Sequence, residues 1–293
     1  MWGRLGGPAM WAGRSGRVRS TILVALLSAA ASSAVHAQSM RSVTMSRQLE
    51  DNSEVQVSVE YGVGRFSVRS VSKGLLYRMN LRYDEDRFEP VAEYTGHSLD
   101  VGLESIRRSR MRGDWESGEL HLELARGVPM QLDLEFGAVH AELDLGGLAL
   151  TDLDLSTGAS ESTIDISEPN RARMRQARFE VGAAEFTVQH LGNLNAEQIE
   201  VDAGVGSLVL WLDGEWQRDA HLNIDMGLGA LELRIPEGLG VQLHKQSFFT
   251  ALDSEGLVKR GDTFESLDWS TADRRVTIDL DAAFGSVRVV WIR

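Results

Sequence analysis

Along most of this chain apolar residues alternate with polar ones, the two-residue period of half-buried strands. No stretch sustains a 3.6-residue period; the nearest helical candidates are short pieces near Leu103–Arg112 and Phe249–Leu257. The alternation is punctuated by one motif: apolar-x-apolar-acid-x-Gly-x-Gly-x-apolar-x-apolar. Its clearest copy reads Ile199-Glu-Val-Asp-Ala-Gly-Val-Gly-Ser-Leu-Val-Leu210. Further copies occupy Val57–Val68, Leu132–Leu143, Leu153–Ile164, Ala177–Val188, Leu222–Leu233 and Ile278–Val289. In the central copies the first glycine falls at 137, 158, 182, 204 and 227, at spacings of 21, 24, 22 and 23. A period in the low twenties predicts a stacked array, because one such unit cannot bury its own apolar face.

The residues five, three and one before the first glycine are apolar in every copy except at Thr157. In a strand these three share a face. The residues four and six after that glycine carry the inward face onward, so the Gly-x-Gly pair is expected at a corner. Glycine there permits positive φ and close approach of one coil's backbone to the next. Gly204→Val or Gly227→Val is therefore expected to destabilise the fold. These features predict an all-β protein, a β-solenoid of stacked short strands with G-x-G corners over residues 131–293. A β-meander over residues 38–130 is expected to precede it, with strands at Leu76–Tyr83, Phe88–Tyr94, Leu99–Leu103 and Leu120–Leu124. Asp84–Arg87 is the expected tip between two of them, and the polar residues 38–53 are expected to fray. Residues 240–275 break the period. They read either as a cap hiding the array's apolar edge or as a recognition insertion.

The first 37 residues stand apart. Arg4, Arg14, Arg17 and Arg19 precede the apolar run that starts at Thr21, and Val35-His36-Ala37 gives a small-x-small exit. That sequence of features describes a cleaved secretory signal peptide, and the expectation is export to the periplasm or beyond the cell. Cleavage would remove four of the 30 Lys and Arg and none of the 43 Asp and Glu, taking the formal charge from −13 to −17. A chain so acidic is expected to be repelled by nucleic acid and anionic lipid. No later run is apolar enough for a bilayer helix. With no cysteine there is neither a disulfide framework nor a lipid-anchoring cysteine, and the core must supply the stability.

The search for chemistry returns little. There is no G-x-S-x-G or H-E-x-x-H, and no glycine pair that joins a strand to a helix as a phosphate loop does. Ser70 and Lys73 match S-x-x-K without its companion motifs. His97, His121, His140, His190, His221 and His244 are expected to be solvated strand residues. No catalytic, cofactor-binding or metal residue is assigned, and the chain is expected not to be an enzyme. One constellation recurs: an acid two residues before the first glycine, as Glu60, Glu135, Glu180, Asp202, Asp225 and Asp281. By parity these point outward and form a ladder at about 4.8 Å spacing. The ladder reads either as a calcium-binding edge or as a solvated face balanced by Arg65, Arg178 and Arg234. The calcium solenoids known from sequence use a nonapeptide period, which this is not. A polysaccharide-cleaving pair at Asp202 and Asp225 is a third reading, but a feature present in nearly every repeat is poorly matched to a unique catalytic pair.

The segments Leu132-Asp-Leu-Glu-Phe-Gly-Ala, Glu142-Leu-Asp-Leu-Gly-Gly-Leu-Ala-Leu150 and Leu153-Asp-Leu-Ser-Thr-Gly-Ala-Ser160 resemble the toast-rack family of bacterial envelope proteins. So do Phe264-Glu-Ser-Leu-Asp-Trp, Val276-Thr-Ile-Asp-Leu and Phe284-Gly-Ser-Val-Arg-Val. That family includes the exported domain of LiaF-like cell-wall-antibiotic response proteins and related candidate adhesins. The resemblance implies a right-handed β-solenoid without catalytic residues, acting in envelope sensing or interaction with another envelope protein or with itself. LiaF-like proteins carry transmembrane helices before this domain, whereas this chain has a signal-like segment. A self-assembling, adhesin-like structural role is the alternative.

Overall fold

The computed structural model describes residues 39–71, 74–106 and 118–293, with the side chains of 247–249 excepted. The signal-peptide assignment for residues 1–37 lies outside them. In chain order the strands are β1 (Met40–Gln48), β2 (Val55–Val71), β3 (Leu75–Asp84), β4 (Phe88–Thr95), β5 (Ser98–Ser105) and β6 (Gly118–Ala125). Then follow β7 (Pro129–Asp144), β8 (Ala149–Thr157), β9 (Glu161–Asp165), β10 (Met174–Gln189), β11 (Ala196–Trp211) and β12 (Ala220–Pro236). The last are β13 (Gly240–Asp253), β14 (Leu257–Arg260), β15 (Thr263–Ser266) and β16 (Arg275–Ile292). The all-β expectation holds: among the described residues the single helical element is a 3-10 turn at Leu191–Leu194. The candidate helix at Phe249–Leu257 instead runs through the end of β13 into the start of β14. The candidate at Leu103–Arg112 begins in the end of β5, and its residues 107–112 lie outside the described residues.

The core of the molecule is a parallel ladder in the order β2, β7, β8 with β9, β10, β11, β12, β16, β13. Each rung pairs with the next residue by residue, so that equivalent repeat positions form columns. Val201 pairs with Ile224 and Ile224 with Leu280, for example. The rungs β2, β7, β10, β11, β12 and β16 keep their apolar side inward by changing parity at the Gly-x-Gly position. In β12 the buried residues are Ala220, Leu222, Ile224 and Met226, then Leu231, Leu233 and Ile235. A continuous strand would have carried Leu228 inward; it is 52% exposed. Burying a Leu, Ile or Val fully contributes about 1.5–3 kcal/mol, and each rung contributes several such side chains to one continuous core. Thr157, the polar exception at an inward position, is satisfied within its own turn. Its Oγ1 donates to Ser160 Oγ at 2.7 Å, and Ser162 Oγ donates to the same oxygen at 2.9 Å.

Two sequence expectations need correction. Residues 38–53 do not simply fray: β1 pairs antiparallel with β3 from Met40↔Asp84 to Gln48↔Leu75. Alternation with half-buried Val43 and Met45 was present there, but the polar majority masked it. Second, β13 is itself a rung, pairing with β16 from Gly240↔Arg275 to Asp253↔Arg288. Its motif is hidden because Thr250 stands opposite Gly285, in the column where β11, β12 and β16 have glycine. Among the described residues β13 has no further strand partner at Thr250. β16 lies between β12 and β13, so spatial order departs from chain order. Around the first rungs, β1, β3 and β6 pair antiparallel, as do β4 and β5. Pro90 in β4 suits a strand that pairs on one side.

A candidate acidic groove

The six acids of the repeat share one column. Glu60 pairs with Glu135, and Ser156 sits between Glu135 and Glu180. Glu180 then pairs with Asp202, Asp202 with Asp225, and Asp225 with Asp281. All six are exposed. From Glu60 to Asp281 the column spans about 29 Å, six steps of about 4.8 Å. The residue after each acid is buried, or half-buried at Ala203, and the following one is glycine or Ala283. Because those glycines carry no side chain, a groove runs beside the acids across the ladder. Its volume is about 1030 Å³, with the column of carboxylates, Gly137, Gly182 and Gly204 among its lining.

The ladder carboxylates are not neutralised by the arginines expected to balance them. Arg178 Nη2 reaches Glu200 at 3.0 Å and its Nη1 reaches Asp154 at 3.6 Å, both in the adjacent column. Arg234 bonds Glu232 at 2.6 Å beyond the glycines and lies 4.2 Å over the Trp211 ring. Among the described residues none of the six ladder acids forms a salt bridge. Partial burial, and then the charges of Asp202 and Asp281, raise the Asp225 carboxyl above its ordinary value. In the adjacent column Asp133 is raised by burial and by Asp154, Glu135 and Glu60.

A raised folded-state pKa means that ionisation disfavours folding. The penalty appears as pH rises through the unfolded and then the folded value of Asp225, and it is fully present at neutral pH. Asp225→Asn is thus expected to raise the melting temperature at pH 7. Facing like charges cost roughly 0.2–1 kcal/mol, so the gain is about 1–3 °C. Thermal melts at low and high salt check this: the gain shrinks with salt and vanishes once the pH falls below the lower, unfolded-state value of the aspartate.

No three or more His, Cys, Asp or Glu side chains gather to hold a metal ion among the described residues. The ladder presents carboxylates one per rung in a line, unlike the six to eight converging oxygens that calcium takes. Two histidines depart from the strand expectation. His97 and His190 have φ of 69° and 55°. His190 sits at the start of the 3-10 turn, with Nδ1 at 2.7 Å from Asp165 and Nε2 at 3.7 Å from Asp213. Asp213 also accepts from the His190 backbone N–H at 3.0 Å, which ties the turn to the following coil. Ser70 pairs with Leu124 in an ordinary strand, and Lys73 lies outside the described residues.

A family model described as the N-terminal domain of toast_rack, DUF2154, matches residues 34–189 and 178–234, more than half of the sequence. The chain belongs to the toast-rack family. The match spans most of the parallel ladder, from β2 to nearly the end of β12, and with it five of the six ladder acids. No curated protein matches the toast-rack chain. Among solved structures it resembles a "putative cell adhesion protein" from Clostridium sporogenes, at 15% identity and a TM-score of 0.45 over 86% of this chain and 100% of that one. It also resembles a "putative adhesin" from Bacteroides fragilis, at 9% identity and a TM-score of 0.36 over 85% and 97%. Among the described residues of the toast-rack chain no helix is long and apolar enough to cross a membrane.

Proposed function

We propose that this toast-rack chain is a non-catalytic interaction module of the bacterial cell envelope, exported by residues 1–37 and built as a right-handed β-solenoid with G-x-G corners. The parity change at each glycine pair supports the corners, since it is what a chain turning around a common core produces. The observation that carries the function is the acidic groove, its carboxylate repeated on six of the seven rungs from β2 to β16. A binding surface for an elongated partner is uniform along its length, whereas a catalytic pair stands out from its surroundings by environment. Membership of an envelope family and the acidic charge point the same way. Partner recognition by an acidic surface favours a basic or neutral partner.

Photo-crosslinking side chains placed along the acidic column, in the native envelope and read by mass spectrometry, test the proposal. One discrete partner protein captured from several groove positions is the expected result. Capture of nothing above background overturns it.

One observation favours a second reading, self-assembly. β15 pairs with β13 only at Gln242–His244, so among the described residues the outer edge of β13 from Lys245 to Asp253 has no strand partner. Open edges accept added strands. Lys245 Nζ donates to Thr250 O at 2.7 Å along this strand, a charge of the kind that guards such edges. Light scattering that rises with protein concentration, together with crosslinks only between copies of this chain, would establish assembly instead.

A further inference from the structure

Bordering the acidic groove is a second column, this one apolar. The residue between the two glycines is apolar, and register stacks Ala183, Val205, Leu228 and Phe284. Val205 is 51% exposed, and Leu228 and Phe284 are each 52% exposed. They account for half of the six exposed large hydrophobic residues among those described, and they stand on three successive rungs. Scattered surface leucines need no explanation, but a contiguous apolar strip rimmed by charge marks an interaction site. Leu228 follows the groove's Gly227 floor by one residue and Asp225 by three, so strip and acids run side by side.

We infer that this double column is the docking surface for a basic amphipathic helix of a partner protein, lying along the stacking direction. The inference rests on the interaction-module reading and names the partner's chemistry. Charge selects a cationic occupant, because among the described residues none of the six ladder acids has a cation of its own. The same charge disfavours a second copy, since two acidic ladders would repel. Spacing selects the helix. Ladder rungs recur every 4.8 Å or so, and successive turns of a helix recur about every 5.4 Å. Same-side residues of an extended strand recur about every 6.7 Å. Over the six steps from Glu60 to Asp281 a helix drifts out of step by about 4 Å, within reach of Lys and Arg side chains, whereas a strand drifts by about 11 Å. A helix with Lys or Arg on one stripe and Leu, Ile or Phe on the next meets the acids and the Val205–Leu228–Phe284 strip together. This is helix-in-groove recognition with i, i+3, i+4 anchors.

The test titrates the full chain with a synthetic 18-residue peptide carrying a Lys stripe beside a Leu stripe at helical spacing, followed by fluorescence anisotropy. A scrambled peptide of the same composition and an alternating Lys-Val peptide are run beside it. The helical peptide is expected to bind about tenfold more tightly than either control. Leu228→Ser and Asp225→Asn should each weaken it by about three- to tenfold, with melting temperatures no lower than that of the parent. Val205→Ser reads the same strip should Leu228→Ser fold poorly. Equal binding of the scrambled peptide reduces the effect to bulk charge and overturns the inference, as does tighter binding of the alternating peptide or indifference to both strip substitutions. If these peptide results are negative while envelope crosslinking still captures a discrete partner, the module reading survives and the helix surface falls.

Discussion

Gly229→Val is expected to lower the melting temperature by roughly 8–16 °C. A Cβ on Gly229 would lie 1.9 Å from the carbonyl oxygen of Gly206 on the preceding rung, far inside any real contact, and the backbone there has a φ of 152°. Neither atom is the end of a flexible side chain, so relief requires two rungs to separate and their ladder bonds to stretch. Backbone strain of this kind with a backbone clash belongs to the class of substitutions costing about 4 kcal/mol or more, and the quoted shift follows for a chain of this size. Gly227→Val is expected to be the milder change, with 2.6 Å to the Gly204 carbonyl and no positive φ. The contrast that makes the result specific is Gly62→Ala. Gly62 occupies the same repeat position on the first rung, yet nothing lies within 4 Å of where its Cβ would stand, and the melting temperature should hardly move. Thermal melts of the three variants, followed by far-ultraviolet circular dichroism, check the ranking. A Gly229→Val protein melting with the parent would refute the close stacking.

Asn170→Leu is expected to cost about 3–5 kcal/mol. Asn170 is 2% exposed and spends its whole amide on backbone groups, those of the coils on either side and that of its own turn. Its Nδ2 donates to Leu150 O at 2.8 Å and Leu194 O at 3.0 Å, and its Oδ1 accepts from Leu150 N at 3.2 Å and Ala172 N at 3.1 Å. Leucine fits the space but strands these groups, and each unmade buried bond costs about 1–3 kcal/mol before relaxation. Asn193 and Asn195 repeat the device one coil further on. Asn193 donates to Ile166 O at 2.7 Å and accepts from Glu215 N, and Asn195 donates to Ala172 O at 2.8 Å. Chemical denaturation with the midpoint and slope both measured decides the matter. A midpoint unchanged from the parent would mean that the coil turns are held by something else.

The repeat was legible because it is written in two registers at once, apolar alternation and glycine spacing, and each rung restates it. The outward parity of Glu60 to Asp281 followed from the same alternation. What stayed hidden obeys no period. The asparagines that close the turns look in sequence like ordinary loop residues, since their partners are backbone groups that only stacking brings near. The His190 pairing with Asp165 arises the same way, across coils. The strip of Val205, Leu228 and Phe284 was visible as letters inside Gly-x-Gly, but its exposure depends on the parity change that follows each first glycine. Thr250 and Phe248 erased the glycine signature from β13, which left the outermost rung reading as an interruption. Nothing in the sequence marks β16 as its inner neighbour.

That inverted order sets a problem for the chain as it is made. From β8 to β12 each new rung finds its partner one coil back, as Ile199 finds Ala177, and that part of the array can grow as residues emerge from the ribosome at about 5–20 per second. β13 emerges next, with Val241 and Leu243 on the same alternation as the strands before it, while the outer edge of β12 is still vacant. In the finished molecule that edge belongs to β16, where Ala220 pairs with Val276 across the whole of β13 to β15. The entropic surcharge for the longer closure is under about 1 kcal/mol. The kinetic one is larger in kind: the nearest strand competes for a site reserved for a later one, and any premature pairing of β13 on β12 must come apart before β16 can slot between them.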